Sequence, residues 1–351
     1  MKKYLGIVLC AAVWVLIGME SSAQIQIGGL LRDEYALGLT TSIKSAGMGG
    51  AYLGVDRVDS MNPAAIGGIE GIEGTLGYRA YDHDRGPTAH RGTLGVTFHD
   101  PVSDYVAGWF PWLEFLKTGA NRVLVDGFIT DGKENTRLSD GAGNPLAADY
   151  YDITLGMHYG VDVFDWLALG FGSYPYESGH IILTSPGNEM RGDALSQVGS
   201  TQLGTIIKPC QYFNDGAEFI YIKDDLEVSG TGGHLGDMYY IHYVGAGVAV
   251  MPFAGTLIAV DYWNGEMEGA VNNTVKFDQD VDRWNVGVEQ RVCKYVDLRA
   301  GSNNGGLTAG LTFHINDTME VDYAYVNKAL RDKENVFGDT QYHGLAFTMR
   351  F

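Results

Sequence analysis

Along most of the chain beyond residue 73, large apolar side chains recur at every second position, and the positions between them are small, polar or charged. In the last segment Leu345, Phe347, Met349 and Phe351 share one face, and Gly344, Ala346, Thr348 and Arg350 share the other. The same alternation sets Leu307, Ala309, Leu311 and Phe313 against Thr308, Gly310, Thr312 and His314. It recurs where Trp284, Val286 and Val288 oppose Asn285, Gly287 and Glu289, and where Ile258, Val260 and Tyr262 oppose Ala259 and Asp261. A period of two belongs to strands, whose side chains point alternately to opposite faces. The chain therefore reads as all-β, with strands that need one apolar and one polar environment. A soluble sandwich meets this need with the apolar face in its core. A transmembrane antiparallel β-barrel meets it with the apolar face toward lipid and the polar face toward the lumen. Periodicity alone does not choose between them.

Three further features favour the barrel. The chain ends on Phe351, at the close of an aromatic-rich alternating strand. Tight breaks near Asp100–Asp104, Val161–Asp165, Met251–Gly255, Cys293–Lys294 and Ile315–Thr318 alternate with long acidic stretches at 114–148, 176–238, 264–281 and 328–340. Short turns on one side and long loops on the other characterise outer-membrane barrels. Aromatic residues gather at strand ends (Trp109, Trp112, Trp166, Tyr239, Tyr240, Tyr262, Trp263, Trp284), as interfacial girdles do. Twelve strands are counted directly, near 73–81, 91–99, 104–113, 149–160, 166–175, 239–250, 254–264, 282–292, 295–301, 306–315, 319–327 and 341–351. One more hairpin from 176–238, where Ile181–Leu183 and Phe219–Ile222 are β-like, brings the expected total to fourteen.

The N-terminus has the form of an export signal. Lys2 and Lys3 precede an apolar stretch from Tyr4 to Met19, and Ser21, Ser22 and Ala23 supply small residues for cleavage after Ala23. Residues 1–23 are thus expected to be a signal peptide. The remaining Cys210 and Cys293 read as isolated buried thiols, although nothing in the sequence excludes their pairing. The formal net charge of −19, without a Lys/Arg run beyond Lys2-Lys3, argues against nucleic acid as a partner, since phosphates need a basic surface. Hydrophobic content of 45% argues against disorder.

Residues 24 to 72 do not read as strands and carry the sharpest motif. Gly47-Met48-Gly49-Gly50-Ala51 is followed about a dozen residues on by Asn62-Pro63-Ala64. This pair of motifs resembles the FadL family of outer-membrane proteins. Asp322-Tyr323-Ala324-Tyr325 and the Gly338–His343 run into the terminal strand resemble its shorter PorV/PorQ-type branch in particular. The resemblance implies a fourteen-stranded barrel (73–351) with an N-terminal plug (24–72) inside the lumen. Gly47, Met48, Gly49 and Gly50 would form the plug's glycine turn, and Asn62, Pro63 and Ala64 its Asn-Pro-Ala motif. Ala65 departs from the family, which usually has another Gly there. By the same resemblance, a break in the third strand would open the wall sideways, lined by Gly108, Trp109, Phe110, Pro111 and Trp112. The structural alternative is that Pro111, which cannot donate to a ladder, ends the strand. Leu345, Phe347, Met349 and Phe351 would form the insertion signal read by the barrel assembly machinery.

No nucleophile elbow, zinc motif or phosphate-binding loop ending in Lys-Ser/Thr is present, so neither an enzyme nor a metal or other cofactor is indicated. The Gly-rich 230–236 run reads as an outside loop, and the acidic 278–282 and Asp224-Asp225 stretches as solvated charge. Gly170/Gly172 and Gly245/Gly247 are expected to thin the wall beside the plug or a neighbouring side chain. His158 and His314 are expected in the lumen, hydrogen-bonded or solvated. The pairs Glu289/Arg291, Asp297/Arg299 and Asp322/Arg350 are expected in wall networks that hold the plug. The implied function is passive passage of a hydrophobic, fatty-acid-like small molecule across the outer membrane of a Gram-negative bacterium, in contact with outer-membrane lipid. The alternative is a type 9 secretion accessory that binds cargo or secretion-system proteins.

Overall fold

The computed structural model describes residues 42–57, 60–83, 88–130, 134–139, 145–185, 188–196, 199–230, 233–271, 275–330 and 340–351. The expected signal peptide and the first part of the expected plug lie outside the described residues. After a short helix α1 (Ile43–Gly47) and a 3-10 turn (Pro63–Ile66), the chain enters the sheet with β1 (Ile72–His83) and β2 (Ala89–His99). Helix α2 (Pro101–Trp109) and a second 3-10 segment (Pro111–Thr118) follow. The next strands are β3 (Ala120–Thr130), β4 (Glu134–Ser139), β5 (Pro145–Phe164), β6 (Leu167–Ser185), β7 (Asn188–Ser196) and β8 (Gly199–Cys210). Then come β9 (Phe213–Gly230), β10 (Gly233–Val250), β11 (Thr256–Val271) and β12 (Val275–Cys293). The chain closes with β13 (Val296–Asn303), β14 (Gly306–His314), β15 (Met319–Leu330) and β16 (Thr340–Arg350).

Two of the sixteen strands are accessories: β4 pairs on the start of β5, and β7 on the far part of β6. The other fourteen form a closed antiparallel ring, joined by β5 to β6 on one side and by β1 to β16 on the other. The final seam runs in unbroken register from Glu73 opposite Arg350 to His83 opposite Thr340. Closure leaves the ring of fourteen without an open edge among the described residues. The expected extra hairpin is β8–β9, whose pairing runs from Gly199 opposite Lys223 to Cys210 opposite Phe213.

Burial follows the period of two and assigns the faces. On β12, Arg283, Asn285, Gly287 and Glu289 are buried while Trp284, Val286 and Val288 are exposed. On β16, Ala346 and Thr348 are buried, whereas Leu345 and Phe351 are exposed and Phe347 and Met349 half-buried on the opposite face. The apolar rows therefore point outward, with Leu76 61% and Leu307 69% exposed, and the polar rows point into the lumen. An apolar-cored sandwich is excluded by this inversion. Tight turns join strands at one end (165–166, 211–212, 251–255, 294–295 and 315–318), while β9–β10 and β11–β12 run on as long ribbons at the other.

The third expected strand, 104–113, is not a strand, so the break at Asp100–Asp104 is not a tight turn either. Asp100 caps α2 by accepting from Val102 N at 3.1 Å, and Pro101 occupies its first turn, where a missing N–H costs nothing. Val102, Tyr105 and Trp109 follow at intervals of three and four, the helical period; the apparent alternation around Trp109 to Trp112 arises where helix passes into 3-10 segment. The wall strand at this place is β3, which pairs with β2 from Ala89/Thr130 to His99/Ala120 and with β5 on its other side. Gly108, Trp109, Phe110, Pro111 and Trp112 thus lie on the β2–β3 connection at the short-turn end, and they do not line a gap in the strands. Trp109 and Trp112 stand 68% and 74% exposed there.

Other expectations change in detail. Trp263 faces inward and is wholly buried, its ring 6.0 Å from that of Tyr52, whereas Trp166 and Trp284 point outward as girdle residues should. Strand parity decides this: Trp263 shares the inward face with Asp261. Cys210 and Cys293 are unpaired and exposed, because each ends a strand at the short-turn end. The side chains of Tyr239, Tyr240, Asp278, Gln279 and Val281 lie outside the described residues, while Asp280 and Asp282 are exposed.

Candidate functional site

The inner face of the wall is occupied by residues 42–57 and 60–67. Ser42 caps α1, with Ser45 N donating to its Oγ at 3.3 Å. Past the helix and its C-cap Met48, Gly49 and Gly50 have φ angles of 72° and 80°, in the left-handed region that favours glycine. The expected glycine turn is thus where the chain reverses along the wall. Further on, the buried Asn62 caps the 3-10 turn: its Oδ1 accepts from Ala64 N at 3.0 Å. Its Nδ2 donates to Leu53 O at 3.0 Å and to Thr205 O on β8 at 3.2 Å. One side chain therefore fastens the segment to itself and to the barrel. Ala64 and Ala65 pack on Ala168 and Ile206. The extra methyl of Ala65, relative to the Gly usual in the resembled family, finds apolar contact there.

Wall glycines let two backbones touch. A Cβ on Gly204 would lie 2.0 Å from Asn62 Oδ1, on Gly170 2.2 Å from Ala64 N, on Gly216 1.8 Å from Leu53 O, and on Gly287 2.2 Å from Met48 O. Of the glycines singled out in the sequence, Gly170 and Gly247 abut the segment, while Gly172 and Gly245 make room for Gln202 and Trp263. The expectation of a thinned wall holds at all four.

Polar contacts complete the docking. Asp261 Oδ2 accepts from Tyr52 N at 2.6 Å and Leu53 N at 3.0 Å. The Tyr52 hydroxyl donates to Glu218 at 3.1 Å. Burial, with the carboxylates of Glu218 and Asp261 beside it, holds that phenol well above its ordinary pKa and keeps it a donor. Asn285 Nδ2 donates to Gly50 O at 3.2 Å, Thr308 Oγ1 to Gly47 O at 3.0 Å, and Arg122 to Ser60 O at 2.8 Å.

Ionic contacts run round the wall and take in the segment. Arg57 forks onto Glu289 at 2.9 and 2.5 Å, and Arg299 donates to the same carboxylate at 2.7 Å. Arg299 also lies 3.5 Å from Asp322, and Lys44 pairs with Glu320. His314 contacts Asp297 at 2.8 Å and Glu320 at 3.2 Å. Arg350 bonds Glu73 at 2.8 Å and Glu320 at 2.9 Å, and Asp56 pairs with Lys208 at 2.8 Å. The charged residues expected in wall networks are therefore all in them, but with other partners. Arg291 pairs with Asp297 and Arg299 with Glu289, because these stand directly opposite across β12 and β13. Directly opposed side chains are closer than i, i+2 neighbours along one strand. His158, expected to be hydrogen-bonded or solvated, is instead buried with neither ring nitrogen bonded, its ring edge-on to Tyr174 with the centroids 5.8 Å apart.

The anchoring roles of Asp261, Glu218, Asn285, Lys44 and Arg57 were not singled out in the sequence. Asp261 and Asn285 do fall on the polar rows, so their inward orientation was readable, but their partners come from more than 200 residues away. A cavity of about 70 Å³ remains between the segment and β16, β1, β2 and β3. A second, of about 330 Å³, opens at the short-turn end among Val55, Asp56, Arg57, Lys208, Asn214 and Met251.

No protein-family model matches the chain, and no curated protein matches it. Solved structures do. The chain is similar to the toluene transporter TbuX of Ralstonia pickettii, at 13% identity and a TM-score of 0.55 over 88% of this chain and 98% of that one. It is similar to the toluene transporter TodX of Pseudomonas putida, at 11% identity and a TM-score of 0.55 over 88% and 98%. A FadL homologue of Pseudomonas aeruginosa aligns at 11% identity and a TM-score of 0.58 over 89% and 98%. The fold is thus a FadL-like fourteen-stranded barrel.

Proposed function

We propose that the protein is a non-catalytic, passive channel for hydrophobic, fatty-acid-like small molecules in the outer membrane of a Gram-negative bacterium. Residues 24–72 are its plug and 73–351 its barrel. The observation that carries this reading is that nearly the whole length of two toluene transporters is matched by this chain. The outward apolar rows support a lipid-facing wall. The exposed Tyr105, Trp109, Phe110 and Trp112 of the β2–β3 connection suit the membrane–water boundary. Leu345, Phe347, Met349 and Phe351 lie on the terminal strand, where the barrel assembly machinery would read them. Transport requires the plug to shift, since its backbone touches the wall glycines. The experiment is uptake of radiolabelled oleate and of toluene by vesicles reconstituted with the purified barrel. Faster entry than in protein-free vesicles is expected for at least one solute; entry at the protein-free rate for both overturns the reading.

A second reading, a PorV/PorQ-type secretion accessory, draws on the ribbons at the long-loop end. Strands β9 and β10 have 18 residues each and β12 has 19, whereas about 9–11 cross a bilayer. The excess length offers protein-binding backbone outside the membrane. Stoichiometric co-purification of secretion proteins from native membranes, with no solute uptake, would favour it.

A further inference from the structure

The segment crowds the wall from β5 round to β15 and touches β16 through Ile43 and β3 through Ser60, but leaves a gap against β1 and β2. There a Cβ on Gly77 would meet nothing nearer than Thr93 Cβ at 3.6 Å, and Gly95 faces the Leu124 side chain and no atom of the segment. The 70 Å³ cavity occupies this gap, and Arg79 lines it. Arg79 is 2% exposed, yet its Nε and Nη1 have no hydrogen-bond partner. Directly across the β1–β2 ladder stands a second cation, Arg91. Asp126 lies close by, but its Oδ1 is taken by Arg91 at 3.2 Å and Thr93 at 2.6 Å, and its Oδ2 makes no bond to Arg79. The other charges lining the cavity are engaged. Arg122 donates to Thr97 at 3.1 Å and to Ser60 O, and Lys44 pairs with Glu320. Glu73 holds Arg350, and Asp322 accepts from Thr312. What remains is a buried guanidinium with two unbonded donors, opposite a second cation with which it shares the single carboxylate of Asp126, so the pair carries one more positive charge than it has counter-charge.

We propose that this cavity binds the carboxylate group of a small organic anion through Arg79. A guanidinium presents parallel N–H donors that match a carboxylate's two oxygens. By this measure a water needs roughly 10–15 Å³, so the space admits a carboxylate with a few carbons attached. The carboxylate belongs either to a free short acid or to the head of a longer acyl ligand. The site concerns binding alone and does not rest on the channel reading.

The test is equilibrium dialysis of the detergent-solubilised full chain with radiolabelled acetate and hexanoate at constant ionic strength, against detergent blanks. Saturable, one-to-one binding is expected, weakened at least tenfold in Arg79→Gln and unchanged in Lys117→Gln, which alters an exposed lysine on the β2–β3 connection. Equal affinity for the two acids identifies a free short carboxylate; tighter hexanoate binding identifies an acyl head group. Should Arg79→Gln fail to fold, Gly77→Leu fills the same cavity with the arginine retained and is expected to abolish binding. Absence of saturable binding to the wild type, or equal binding to the wild type and to either cavity variant, overturns the proposal.

Discussion

Replacing Asp261 by alanine should release the N-terminal segment without opening the barrel. Asp261 Oδ2 accepts from two backbone donors of the segment, Tyr52 N at 2.6 Å and Leu53 N at 3.0 Å, and the residue is wholly buried. Alanine leaves both donors buried without an acceptor, at about 1–3 kcal/mol each, so docking weakens by about 2–6 kcal/mol. At 1.4 kcal/mol per factor of ten, the undocked population rises roughly 30-fold to 20,000-fold. Trypsin cleavage after Lys44 and Arg57 in the detergent-solubilised protein reads this population. The strand ladders do not involve the Asp261 side chain, so heat-modifiable migration on gels, the mark of an intact barrel, should persist. Asp261→Asn keeps one acceptor oxygen and should fall between alanine and wild type. An intact Asp261→Ala barrel cleaved at the wild-type rate would refute the idea that this carboxylate fastens the segment.

Gly216→Ala should displace the segment by sterics alone, since its Cβ would sit 1.8 Å from Leu53 O; Gly92→Ala, with nothing within 4 Å, should leave trypsin sensitivity unchanged. Leu345→Lys, at a position 51% exposed on the outward face, should destabilise the barrel by about 2–4 kcal/mol in vesicle-based guanidinium titrations if residue 345 lies near the bilayer midplane. Stability equal to that of the wild type would contradict the lipid-facing assignment. Cys210 and Cys293 should both react with a membrane-impermeant maleimide without denaturation, and from the same side of the membrane, because both lie at the short-turn end. Labelling of one only, or of the two from opposite sides, would break the topology.

The wall was readable because parity is a local property. Once Leu345 and Phe351 are seen to alternate with Ala346 and Thr348, each strand carries its own inside and outside, and closure supplies the rest. Reading failed where a different period imitates alternation. The apolar residues of 101–113 satisfy a helix as well as a strand, and Asp100-Pro101, a helix-start signal, was outweighed by the expectation of a tight turn. The glycine turn and the Asn-Pro-Ala motif were recognisable as a unit, but not the sites on the wall that hold them. Those depend on register: Glu289 meets Arg299 and not Arg291 because of how β12 slides along β13, and no single strand records that offset.

The notches in the wall carry a consequence for how the two parts tolerate change. At Gly170, Gly216, Gly287 and Gly301 the nearest atoms across the interface are main-chain amides and carbonyls, so the mould is shaped by missing atoms and its cast by atoms that every residue shares. Substitution at those points should therefore be forbidden on the barrel and freer at Met48, Leu53 and Ala64 of the strip it encloses, though not at Gly49 and Gly54, where a Cβ would meet wall backbone. Such lopsided permissiveness would be visible in a saturation scan.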